Sequence, residues 1–233
     1  MKIQNFTTSF VILAMLGSSV PDLVVAQDEK TTWDDLNLVK SSKTQRVYLL
    51  PGANFQIYNK VMLDTTEVAF QKNWMRNYNQ SAGTVSRRVD QDDIDRVSND
   101  ISTTFNGILA EEFQKNGYQV VTSPGPDVLR IRTGIIDLTV SSPDVRSSSR
   151  TYSASWEAGQ ATLVVEARDS QSSALLGRAL DRRLAGDRAT QSYLRNSVTN
   201  KADFKILFRQ WADLSVEGLT RLKNGSSGGV AQK

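Results

Sequence analysis

Three carboxylates come nearest to catalytic chemistry in this chain: Asp64 and Glu67, three residues apart, and Asp137 in a later apolar run. Two carboxyl groups held about 5 Å apart, or somewhat more, can cleave a glycosidic polymer as acid and nucleophile or base. One reading is therefore a hydrolase or lyase of envelope polymers working through these acids. Three-residue spacing on a strand sends side chains to opposite faces, however, and the simpler reading is two solvated carboxylates. Asp90, Asp92, Asp93 and Asp95 form a denser acidic cluster. It lacks the glycine and closing glutamate of an EF-hand and is read as the start of a helix, where the dipole favours negative charge. The chain has no His and no Cys, which removes the commonest general base and metal ligand, thiolate nucleophiles and disulfides. Gly125 is flanked by prolines instead of opening a helix, and no phosphate loop or nucleophile elbow occurs. No cofactor and no metal are expected.

What remains is material for contact. Gln71–Val89 carries Trp74, Arg76, Tyr78, Arg87 and Arg88, and the Ser-rich Ser141–Gly159 carries Arg146, Arg150 and Trp156. Aromatic and guanidinium groups on loops give large recognition area with few rotors. The bland account has Trp74 and Tyr78 folding back on the core while the arginines protect solvated edges. Between Val128 and Arg195 there are ten Arg, no Lys and seven acids. Arg suits bidentate contact with carboxylate or phosphate, so the expected partner is an envelope protein or an anionic envelope polymer. A net charge of +3 over 233 residues is too small to imply nucleic acid.

These groups must be positioned outside the cytoplasm if the N-terminus means what it suggests. Lys2, the apolar run Phe10–Leu16 and the small-residue pattern Val24-Val25-Ala26 read as a signal peptide over residues 1–26, cleaved near Ala26/Gln27. The alternative is an uncleaved anchor, but the run is short of the ~20 apolar residues that span a bilayer. No transmembrane span is expected in the mature chain, and no lipid anchor through cysteine. A cysteine-free exported protein suits the bacterial periplasm, where thiols are oxidised. Residues 27–223 are expected to form one domain and 224–233 a flexible tail.

Within that domain, apolar residues recur at helical spacing over Asp90–Asn116 and over Lys201–Lys223, the second capped by Thr199 or Asn200. Arg46–Leu50 and Tyr58–Phe70 read as strands, and Gln71–Val89 as an irregular excursion. Tyr118–Val140 reads as a hairpin turning at Ser123–Asp127; its second arm places Leu129, Ile131, Thr133, Ile135, Asp137 and Thr139 on the helix side and leaves Arg130 and Arg132 solvated. Gln160–Arg168 and Leu175–Arg183 form a second hairpin, in which Glu166 can face Arg178 as an exposed pair worth at most ~1 kcal/mol. The expected fold is α+β: two layers, a mixed, mainly antiparallel sheet of about five or six strands, and two long helices on one face.

The words Trp33-Asp34-Asp35-Leu36, Tyr48-Leu49-Leu50-Pro51-Gly52-Ala53, Lys60-Val61-Met62-Leu63-Asp64, Gly125-Pro126-Asp127-Val128-Leu129-Arg130, Ile136-Asp137-Leu138 and Ser197-Val198-Thr199-Asn200 occur in this order. Together they resemble the bacterial exported proteins grouped as domain of unknown function 3313, over about Trp33 to Leu222. The resemblance implies an envelope protein, often a lipoprotein, with no established activity; the missing cysteine is a departure from the lipoprotein pattern. The functional expectation is a non-catalytic periplasmic binding or assembly module.

Overall fold

The computed structural model of the chain describes residues 32–82, 88–141, 143, 153–155, 158–186, 193–195 and 197–225. The signal-peptide expectation at 1–26 lies outside them. Strands β1 (Thr32–Trp33) and β2 (Leu36–Ser41) are joined through Asp34 and Asp35, both in the left-handed region. β2 turns into β3 (Gln45–Leu49) where the Gln45 N–H donates to Ser42 Oγ at 3.0 Å. The expected single strand Tyr58–Phe70 is two strands, β4 (Lys60–Leu63) and β5 (Glu67–Phe70), lying one after the other along the same neighbour. The break falls at Asp64–Thr66, where the Thr66 side chain is buried.

The segment read as irregular contains helix α1 (Trp74–Ser81). Helix α2 (Gln91–Lys115) matches its expected span to within a residue at each end. Its acidic start is a capping box: Asp90 accepts from the Asp93 N–H at 2.9 Å, and the Asp90 N–H donates to the Asp93 carboxylate at 3.5 Å. β6 (Gln119–Val120), β7 (Val128–Val140), β8 (Ser153–Ser155), β9 (Gly159–Asp169), β10 (Leu175–Ala185) and β11 (Tyr193–Arg195) follow. Helix α3 (Ser197–Lys223) begins before the expected caps, so Thr199 and Asn200 lie inside it.

Nine strands pair in the order β1-β2-β3-β10-β9-β7-β4-β6, with β5 also on β7; β8 and β11 form a separate ribbon. The sheet is mixed rather than mainly antiparallel, and larger than the five or six strands expected. From β1 to β7 every ladder is antiparallel, whereas β4, β5 and β6 pair in parallel. The expected hairpin of β6 with β7 does not form. β4 lies between them, anchored where the Asn59 and Lys60 N–H groups both donate to the Asp127 carbonyl. A strand inserted between two others needs apolar residues compatible with both, and the buried Val61 supplies one.

Both long helices share one face of the sheet. Phe105 of α2 meets Phe208 and Trp211 of α3 at ring separations of 5.5 and 6.3 Å, over Leu129, Ile131, Ile135 and Leu163. Each such side chain removed from water contributes about 1.5–3 kcal/mol, an upper figure for the unfolded reference. The alternation in β7 runs as expected from Leu129 to Ile135 and then inverts: Leu138 and Val140 are buried, Asp137 is exposed. Asp137 has φ of 52° and the register with β9 shifts between Ile136 and Thr139. A bulge adds one residue to one strand and so exchanges the faces beyond it, which removes Asp137 and Thr139 from the helix side. Among the described residues no helix is long and apolar enough to cross a membrane.

Candidate functional site

The sheet is wider than the two helices that cover it. α3 lies over β9 and β10, and beyond it β3 and β2 continue the same surface, on which no helix among the described residues packs closely. The result is a cleft of about 560 Å³ between the C-terminal half of α3 and the strands β7, β9, β10 and β3. Small side chains keep it open. Ala167, Gly177 and Ala179 lie on the strand side, with Ser215 and Gly218 on the helix side. Two of the glycines differ in their reason. A β-carbon at Gly177 would come within 2.9 Å of the Leu49 Cδ2 methyl and 3.2 Å of the Tyr48 carbonyl, so close strand approach favours glycine there. One at Gly218 would meet no atom within 4 Å, so that glycine leaves only space.

The walls are apolar: Val47, Leu49, Leu163 and Val165 from the sheet, Leu214 and Leu222 from α3. Four charged residues line the cleft. Asp181 is buried and paired with Arg183 at 2.9 Å, and Arg183 also donates to Gln210 of α3 at 3.2 Å. Arg178 directs its guanidinium to Glu166 and Asp34. Lys40 and Arg221 are exposed and have no acidic partner among the described residues. The rim is therefore cationic, one charge standing on each wall.

The opposite face of the sheet carries the Arg178–Glu166 pair, so Arg178 borders the cleft while its guanidinium points away from it. Arg178 is 8% exposed, sits 2.7 Å from Glu166, and has the Trp33 ring 4.1 Å from its central carbon. The expected register of Glu166 with Arg178 is correct, but the pair is not exposed: Arg178 is buried and Glu166 half-buried. Burial pushes the Glu166 carboxyl up, and hydrogen bonds and charge from Arg178 and Arg168 outweigh it, so the net shift is downward.

Of the three candidate catalytic carboxylates, Asp64 and Glu67 are not on opposite faces as expected but meet around Arg132, and Asp137 lies apart from them. Asp64 accepts from Arg130 Nε at 2.9 Å and lies 3.4 Å from Arg132, whose other end reaches Glu67 at 3.3 Å. Both carboxylates thus serve as salt-bridge partners of these arginines. Arg130 and Arg132 are accordingly paired as well as partly solvated. Asp137 stands apart on its bulge, and none of the three lines the cleft. Among the described residues no group of three or more acidic, His or Cys side chains could hold a metal ion.

Of the expected contact residues, Trp74 is 7% exposed and lies between Phe70 and Tyr78, at ring separations of 4.6 and 5.4 Å. The structure brings Trp74 and Tyr78 together as core packing. Arg76 and Arg88 are exposed, and neither lines the cleft. Arg87, Arg146, Arg150 and Trp156 lie outside the described residues. The cleft residues were not singled out by sequence because each reads as an ordinary strand or helix position; the small residues Gly177, Ala179 and Gly218 in otherwise apolar elements were the available signal.

The family model described as protein of unknown function (DUF3313) matches residues 33–215, and the chain belongs to that family. No curated protein matches it. Among solved structures it is similar to the PelC dodecamer from Paraburkholderia phytofirmans, with 11% identity and a TM-score of 0.36 over 74% of this chain and 95% of that one. It is also similar to protein XCC0632 from Xanthomonas campestris, of family DUF330, with 11% identity and a TM-score of 0.35 over 76% of this chain and 91% of that one.

Proposed function

We propose that this chain is a non-catalytic binding module of the bacterial cell envelope, exported through the segment 1–26, and that the cleft beside α3 is its binding site. The observation that carries the reading is an apolar cleft of about 560 Å³ with a cationic rim. Its size falls among small-molecule sites, which are concave, mostly apolar and oriented by a few polar groups. The hydrolase or lyase reading has no comparable support, since Asp64 and Glu67 are held by arginines away from the cleft.

The test uses Nile red, a neutral dye that brightens in apolar surroundings. Saturable one-to-one brightening with the wild-type chain, lost in Gly218→Leu at unchanged melting temperature, is expected. Equal brightening in both proteins would remove the cleft as the site. Export is tested separately by fusing alkaline phosphatase, which is active only outside the cytoplasm, after residue 233; an inactive fusion would overturn the placement.

A further inference from the structure

We infer that the cleft takes a single-chain amphiphile with an anionic head, its hydrocarbon chain lying over Ala167, Gly177 and Ala179 and its head held between Lys40 and Arg221. This rests on the cleft being the binding site and adds the chemistry of what it binds. The apolar walls select for hydrocarbon, and the open space at Ala167, Ala179 and Gly218 admits a chain lying along the sheet. Polar groups for a saccharide are scarce. Ser215, on the helix wall, already donates its hydroxyl to the Trp211 carbonyl at 2.8 Å, which leaves Ser41 and Gln45 as the neutral polar side chains of the lining.

Charge decides the head group. Of the four charged residues of the lining, Asp181 is committed to Arg183, and Arg178 to Glu166 and Asp34. Lys40 and Arg221, on opposite walls, pair with no acid among the described residues. An anion at the rim gains from both, whereas a cation there is repelled. A fatty carboxylate and the phosphate of a lysophospholipid share the needed chemistry.

The experiment displaces Nile red from the full chain, below the micelle concentration, with saturated fatty acids from octanoate to palmitate, lysophosphatidylglycerol and a neutral monoacylglycerol. Apparent Kd should tighten by up to about fourfold per added methylene until the cleft is full. The anionic probes should bind at least tenfold more tightly than the monoacylglycerol, and Lys40→Glu/Arg221→Glu should erase that advantage while Nile red binding stays. Binding of the carboxylates alone, or of lysophosphatidylglycerol alone, each supports the inference and identifies the head. Gly218→Leu should block every probe; because its β-carbon enters open space on a helix, it keeps the fold. If the neutral and anionic probes bind alike, or the charge reversal changes nothing while Nile red still binds, the ligand inference falls and the cleft reading stands. If Nile red does not bind at all, both fall.

Discussion

Arg178 and Glu166 face each other across the β9–β10 ladder, with Nε and Nη2 of the guanidinium at 3.0 and 2.7 Å from one carboxylate oxygen. Asp34 takes Nη1 at 2.8 Å, and Trp33 covers the group. A single register thus ties β1 and the following turn to the middle of the sheet. Arg178→Ala leaves the half-buried Glu166 with Arg168 as its remaining partner, so it is expected to cost about 1.5–3 kcal/mol, whereas Arg178→Met with Glu166→Leu should cost less. Urea unfolding of the two variants decides the matter; equal losses would show that packing, not charge, holds the pair.

The same pair sets a pH dependence. The Glu166 carboxyl lies below its ordinary value of 4.5 in the folded state, so its contribution is present above that value and lost as pH falls through the lower folded one. Glu166→Gln should flatten the acid limb of stability against pH; an unchanged limb would assign it to other groups.

Tyr58 gives the opposite sign at high pH. Burial, then its hydrogen bond to Asp169 at 3.0 Å and that carboxylate's charge, push the phenol from 10.0 up to about 12. Its contribution is complete below pH 10 and lost as pH rises towards 12. Stability measured across that window should fall in the wild type and fall less in Tyr58→Phe.

Thr66 sits at the break between β4 and β5, its hydroxyl bonded to Asn106 and to Thr133, while Ser102 of α2 donates to its carbonyl at 2.7 Å. Thr66→Val keeps the shape and strands Thr133 and Asn106, at an expected cost of about 1–3 kcal/mol. Replacing Thr66 and Thr133 together by Val should cost less than the sum of the single changes, a non-additivity that a double-mutant cycle measures.

Gly159 opens β9 at φ of 157°, and a β-carbon there would stand 1.9 Å from the Thr139 carbonyl oxygen. Gly159→Ala must move backbone and is expected to cost about 3 kcal/mol or more. A melting temperature within a degree of wild type would contradict the close approach.

Local signals were read well where one face repeats over many residues. Ile101, Phe105 and Phe113 announced α2, and Phe204, Leu207, Phe208 and Trp211 announced α3. The same logic placed Glu166 opposite Arg178. It did not find β1 and β2, whose few apolar residues acquire meaning only against Tyr48 and Arg178. It assigned Trp74 to a loop because Asn73 and Ser81 bracket a helix of only eight residues, too short for periodicity to show. Trp74 and Tyr78, expected as contact residues, could not be told from core aromatics by sequence, since burial is set by neighbours distant in the chain.

By itself the sequence determined what is written in short-range order: two amphipathic helices, the acidic helix start at Asp90, the antiparallel return of β10 on β9, and membership of the family through words spread from Trp33 onward. Only the tertiary structure decided that β4 separates β6 from β7, that Asp137 inverts the faces of its strand, and that α3 stops short of covering β3. The reason is physical. Periodicity is a property of neighbouring residues, whereas strand order and empty volume depend on how side chains of different size meet across elements. Gly177, Ala179 and Gly218, separated by some forty positions, make a cleft only when the sheet and α3 bring them together.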